Sequence, residues 1–369
     1  MSQKKEHYGG AGFMMGIIVL FGILFYGGLT WIASADSHAA GIEGLKFFGD
    51  GRVRMETASQ TTAADEEQDR ERFRYRLRLG LTYKASDIVE FGARLASNGD
   101  VNSPHINFGG GFDRDSIAID KTYVKASYMG GFAWFGKNEV PFWEQNEYYW
   151  DADINPEGLA VGYTVKDLGP VSLTLQGGYF NHTEKSWETG TPEDDTTVTM
   201  YQAVVKGGID PVDAILAYGA ASFDDGNSTT SCDAAAADCT YTLTSVQVKV
   251  KSIPGIGLTL GYDMLSSDAS ANDSGSVISA QIDYNKFKFV LRLPDIEGNA
   301  GPGRAGLSQD DWPSYKTDFK GTEVKIGYKI AGNMDVDFKW FDGEDKDSGV
   351  AVNTIKEQSL TQVNFNVKF

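Results

Sequence analysis

The chain has 369 residues and is acidic, with 51 Asp+Glu against 33 Lys+Arg and a formal net charge of −18. That balance argues against a nucleic-acid binder, which needs net cationic patches to neutralise phosphate. Two cysteines, Cys232 and Cys239, form neither a Cys-x-x-Cys pair nor a haem-attachment motif, so the sequence offers no zinc or c-type haem site.

The N-terminus reads as an address. Lys4 and Lys5 precede an apolar run from Phe13 to Ile32, followed by small residues at Ala33 and Ala35. This pattern fits a secretory signal peptide, residues 1–35, cleaved near Ala35; an uncleaved inner-membrane anchor is the alternative for so long a run. Cleavage leaves residues 36–369 as one domain.

Beyond residue 35 no stretch is apolar enough for a transmembrane helix, and period-two alternation takes over. In "LKFFGDGRVRMET" Leu45, Phe47, Val53 and Met55 share one face, while Asp50, Arg52, Arg54 and Glu56 share the other. "RFRYRLRLGLTYK" sets Arg72, Arg74, Arg76 and Arg78 against Phe73, Tyr75, Leu77 and Leu79. On a strand this places a row of cations on one side and an apolar wall on the other. Eight of the eleven arginines lie between Arg52 and Arg94, which points to a local electrostatic task inside an acidic chain. The alternation continues through "EVKIGYKI", "MDVDFKW" and the terminal "TQVNFNVKF", where Val363, Phe365, Val367 and Phe369 oppose Gln362, Asn364, Asn366 and Lys368.

Sixteen such segments are expected, at about 45–56, 71–84, 87–97, 117–129, 132–138, 158–167, 170–181, 197–207, 212–223, 240–252, 256–267, 275–285, 287–293, 321–331, 333–342 and 358–369. Short links ("KAS", "GG", "KDLGP", "GIDP", "SIPG", "NK", "AGN") alternate with long polar ones, beginning with "ASQTTAADEEQDR". Strict segregation of turns and loops predicts an all-β, transmembrane, antiparallel up-and-down β-barrel of about 16 strands, with short periplasmic turns and long extracellular loops. Only a closed sheet satisfies its backbone in lipid, so the apolar face meets acyl chains and the arginine row faces a water-filled lumen. A soluble antiparallel sheet with one wet face is the competing reading.

Three stretches carry a resemblance to a known family: "GKNEVPFW" followed by "WDADINPEGLAVGY", then "TDFKGTEVKIGYKIAGNMDVDFKWFDGE", and the terminal "VNFNVKF". The chain resembles the outer-membrane porins of Gram-negative bacteria, and more narrowly the sixteen-stranded "putative porin" family, over most of its mature length and weakly over 182–310. The resemblance implies passive diffusion of small hydrophilic solutes across the outer membrane, as a homotrimer among lipid and lipopolysaccharide. It also implies insertion by the barrel-assembly machinery through the signal Val363, Phe365, Val367 and Phe369. The third loop, 139–157, would then fold into the lumen as a constriction. Its Glu139, Glu144, Glu147, Asp151, Asp153 and Glu157 would face a pore-lining wall of Arg52, Arg54, Arg72, Arg74, Arg76, Arg78 and Arg94, giving a transverse field that sets selectivity. The loop's Phe142, Trp143, Tyr148, Tyr149 and Trp150 either pack it against the wall or form a stacking surface, packing being the expected role.

Cys232 and Cys239 close a short loop in an oxidising compartment and are expected to form a disulfide. No catalytic constellation, metal site or cofactor is expected. His105 and His182, the histidines left in the mature chain but for His38, fall in expected loops, with no serine nucleophile motif beside them. "GIGLTLG" lies inside a strand, not in a nucleotide-binding turn, and "DGEDKDSG" lacks calcium-loop spacing. The alternative function is surface display or adhesion by a barrel with a narrow or plugged lumen.

Overall fold

The computed structural model describes residues 43–62, 64–99, 103–109, 114–183, 196–224, 239–253, 255–269, 272–302, 318–346 and 355–369. The expected signal segment 1–35 and Cys232 lie outside the described residues.

Among the described residues there are sixteen longer strands and one of two residues. They are β1 (Leu45–Thr62), β2 (Glu67–Lys84), β3 (Val89–Ser97), the two-residue β4 (Ile106–Asn107), β5 (Ile117–Tyr128), β6 (Gly131–Lys137), β7 (Glu157–Leu168), β8 (Val171–Thr183) and β9 (Thr196–Ile209). There follow β10 (Val212–Asp224), β11 (Cys239–Ile253), β12 (Ile256–Ser267), β13 (Ser274–Tyr284), β14 (Phe287–Ile296), β15 (Phe319–Ala331), β16 (Met334–Asp345) and β17 (Ile355–Lys368). Each long strand pairs antiparallel with its neighbours in sequence, and β17 returns to β1 with Phe365 opposite Val53. The sheet therefore closes as the alternation predicts, leaving no edge.

Closure is completed by the last residue. The Phe369 N–H donates to the Gly49 carbonyl at 3.0 Å, and the Gly49 N–H to the Phe369 carbonyl at 3.0 Å. The Phe369 ring lies where a Cβ on Gly49 would stand, so only glycine admits it. Deleting Phe369 removes both bonds and the ring cover, and is expected to cost about 2–3 kcal/mol of barrel stability, read as a lower denaturant midpoint.

One expected loop is corrected. "ASQTTAADEEQDR" is mostly strand: β1 continues to Thr62 and β2 starts at Glu67, with Asp65 and Glu66 bonded back to Thr62 between them. These positions lack an apolar face, so alternation could not reveal them; cross-strand polar pairs hold them instead, as in the Gln60–Gln68 side-chain bond at 2.7 Å. β3 ends early at Ser97, and β4 takes the vacant place beside β2, Ile106 opposite Tyr75 and Asn107 opposite Arg74.

The outer face is apolar. Leu77, Leu79, Phe91, Val161, Leu216, Leu260, Ile278 and Leu291 are all exposed there. Exposed aromatics sit beside the short turns, including Tyr128, Tyr163, Tyr284 and Phe287, with Phe287 and Tyr328 rings 4.8 Å apart. The inner face departs from a purely polar lining. Towards the long-loop end Phe180, Met200, Leu243, Leu265, Phe319 and Phe341 point inward and are buried in one apolar cluster. Its cover is the third loop.

Candidate functional site

β1 and β2 build the cationic wall by register. Across the pair Asp50 faces Arg78, Arg52 faces Arg76, Arg54 faces Arg74 and Glu56 faces Arg72. Two arginine–arginine rungs stacked this way repel, and carboxylates bracket them at both ends. Asp50 accepts from Arg76 Nη2 at 2.8 Å and from Arg78 Nε at 2.7 Å. Glu56, its side chain almost wholly buried, pairs with Arg72 and lies 3.6 Å from Arg74 Nη1 and 3.9 Å from Arg54 and Arg70.

β17 orients the guanidiniums from the other side. Asn366 and Asn364 accept from Arg52 Nε and Arg54 Nε, each at 2.6 Å, while Gln362 donates to Glu56 at 3.1 Å. Asn364 and Asn366 in turn donate to Asp337 and Asp335 of β16. The polar half of the terminal alternation thus fixes the direction of the arginine forks, a role the sequence reading did not assign. His105 lies in the loop between β3 and β4, as expected, but is buried against this wall, its Nε2 3.5 Å from Arg52 Nη1, with Ser103 Oγ between its ring and Arg74. His182, expected in a loop, lies within the last residues of β8 instead, because the strand runs on to Thr183, and its ring meets Phe223 edge-on.

The third loop, 138–156, turns inward because its root allows it. Gly136 and Gly158 face each other across β6 and β7 at φ +123° and +155°, where a side chain on either would run into the neighbouring backbone. The loop then touches walls far apart in sequence. Trp143 exchanges two 2.8 Å bonds with Gln202 of β9. Gln145 and Asn146 both donate to Asp263 of β12, where Gly261 leaves room for the Gln145 amide. Tyr148 donates to Glu323 of β15 at 3.0 Å, and Tyr149 to the Tyr241 carbonyl of β11 at 2.9 Å. Tyr148, Tyr149 and Trp150 are buried in the apolar cluster, so these aromatics pack.

The six loop carboxylates do different things. Asp153 bonds to the arginine row, accepting from Arg78 Nη1 at 2.6 Å and Arg76 Nη1 at 3.2 Å. Glu139 pairs with Lys121 at 2.6 Å, and Glu157 opens β7 paired with Lys137 at 2.9 Å. Asp151 is buried and caps the Asp153 N–H at 2.7 Å. Arg94 pairs with Asp120, which Asn155 of the loop also holds at 2.8 Å. Glu147 is exposed.

Two of these groups have opposed pH behaviour. Burial, then the neighbouring carboxylates Glu147 and Asp263, push the Glu144 carboxyl well above the usual range. Its Oε1 has no hydrogen-bond partner among the described residues. Burial also lifts Glu139, but the Lys121 ammonium outweighs it and holds that carboxyl below its ordinary value. A raised carboxyl favours the docked loop below its unfolded value and loses that contribution as pH rises. A lowered one contributes above its unfolded value and loses it as pH falls. Glu144→Gln is therefore expected to remove the loosening of the loop that sets in as pH rises above the ordinary carboxylate range, read as protease cleavage within the loop, and to leave the acid-side loosening from Glu139 in place.

The profile described as "Putative porin" matches residues 37–199. Among solved structures, the high-pH form of OprB from Pseudomonas putida has a TM-score of 0.54 at 15% identity, covering 88% of this chain and 94% of its own. A triple mutant of the Rhodopseudomonas blastica porin has 0.51 at 13%, covering 88% and 100%. OmpF of Salmonella typhi, in complex with daunomycin, has 0.52 at 12%, covering 88% and 97%. The fold is that of a porin. No curated protein matches the chain. The porin resemblance drawn from "GKNEVPFW" and "WDADINPEGLAVGY" lies inside the matched span, and the two C-terminal stretches lie beyond it.

Cys239, which opens β11, is disulfide-bonded. No metal-binding group of His, Cys, Asp and Glu occurs among the described residues.

Proposed function

We propose that this chain is an outer-membrane porin of a Gram-negative bacterium, a water-filled channel for passive diffusion of small hydrophilic solutes and ions, without enzymatic activity. The observation that carries the reading is a closed barrel, apolar outside and charged inside, with one loop docked across its interior. Apart from the short β4 and the seven-residue β6, the strands run from 9 to 18 residues and suit a bilayer, which a tilted strand crosses in about 9–11. The exposed aromatics beside the turns fit a girdle at the interface. Selectivity is assigned to the arginine wall, Arg52, Arg54, Arg72, Arg74, Arg76, Arg78 and Arg94, facing the acidic loop. Asp153 is the point where the two meet. Association as a homotrimer, contact with lipid and lipopolysaccharide, and assembly through the Val363–Phe369 signal complete the proposal.

The buried aromatic plug of the third loop favours a second reading, a display or adhesin barrel with an occluded lumen. Purified protein in a planar bilayer separates the two. Stepwise conductance supports the channel; a folded, heat-modifiable barrel that stays silent supports display.

A further inference from the structure

Arg76 and Arg78 are held from two sides that differ in kind. Asp50 belongs to the barrel, fixed opposite Arg78 by strand register. Asp153 reaches the same guanidiniums from the lumen, on a turn made within the loop: its N–H donates to Asp151, and Asn155 donates to its carbonyl at 3.0 Å. Both Asp153 oxygens are engaged, one by each arginine. Two guanidinium forks closing on one planar carboxylate form a carboxylate receptor. Without Asp153 the receptor keeps two cations against the one charge of Asp50. Arg76 is 8% exposed, and its Nε has no hydrogen-bond partner among the described residues, so its donors are not exhausted.

We propose that Asp153 is a built-in competitor occupying a binding site for the carboxylate of a passing solute. Arg76 and Arg78 take the solute's carboxylate, and Asp153, carried on its turn, gives way. The inference rests on the channel reading and names its solute class: small organic anions bearing a planar carboxylate. The site is self-occupied at rest, so it holds such solutes weakly enough to release them, which conduction requires. A competitor tethered in place lowers apparent affinity by the fraction of time it vacates the site.

The test is block of single-channel KCl current by added potassium succinate, with full-length protein reconstituted in planar bilayers. Asp153→Asn keeps the shape and removes the charge. It is expected to lower the succinate concentration for half-block by about tenfold, the factor for a latch open a tenth of the time. Asp153→Ala should do the same, and Asp153→Glu should restore the wild-type value. Adding Arg76→Gln and Arg78→Gln to Asp153→Asn should abolish block. Equal half-block concentrations in wild type and both neutral variants overturn the latch while leaving the channel intact. Conductance with no succinate block in any variant overturns the binding site. No conductance from any folded variant overturns the channel reading, and this inference with it.

Discussion

Replacing Arg74, Arg76 and Arg78 together by glutamine is expected to move the reversal potential across a KCl gradient towards the potassium equilibrium potential, with the cation-to-anion permeability ratio rising about tenfold. The sign follows from what stays behind. Asp50 and Asp153 lose both of their arginine partners, and Glu56 loses one of its own. Three cations leave the wall that the third loop touches through Asp153, while the carboxylates that balanced them remain. About tenfold corresponds to ~1.4 kcal/mol, modest for charges at this range once mobile ions screen them. An unchanged potential assigns the field to the other acidic loops and makes the arginine row solvated lining.

The second large effect concerns the anchors of the third loop. Tyr149→Ala with Trp150→Ala empties the apolar cluster of two buried rings, and each truncation of this kind costs about 3–5 kcal/mol. The bonds left to the loop, through Gln202, Asp263 and Asp153, do not offset that loss. Because the rings belong to the loop and not to a strand, the pairing of the barrel survives. The expected outcome is a single-channel conductance raised by about half to twofold, with heat-modifiable gel mobility unchanged. Unaltered conductance would show that the aromatics do not hold the loop across the pore.

The strands were legible because a sheet wet on one side and greasy on the other writes its period directly into the chain. Phe73, Leu77 and Leu79 against Arg74, Arg76 and Arg78 needed no tertiary information. Asp50 and Glu56, on the same face as Arg52 and Arg54, were equally visible. The upper part of the first hairpin was not, because Ser59, Gln60, Gln68 and Asp69 are polar on both faces. Nor could loop length show where residues 138–156 go. Their partners stand 18 to 175 residues away, and a lone Gln202 or Glu323 in a strand carries no mark of its partner. The local clue was the glycine at each root, Gly136 and Gly158, whose meaning depends on a backbone angle that sequence does not print. His105 escaped for a related reason: its loop substitutes for missing strand beside β2, a consequence of β3 stopping short.

The reach of the third loop also orders events in time. Asp153, Glu139 and Asn155 meet β2 and β5, which precede the loop, but the surface that receives its buried aromatic segment and the residues before it is assembled from β9, β11, β12 and β15, all made after the loop itself. While the chain emerges, Tyr148, Tyr149 and Trp150 have nowhere to go, since the wall that receives them is not yet synthesised. Contacts of such long sequence separation form late, after the costly closure of the chain between them. Docking therefore waits for the sheet to come nearly full circle. The loop that narrows the passage is, in folding, the seal applied last, and the fluorescence of its buried tryptophan should report a finished barrel.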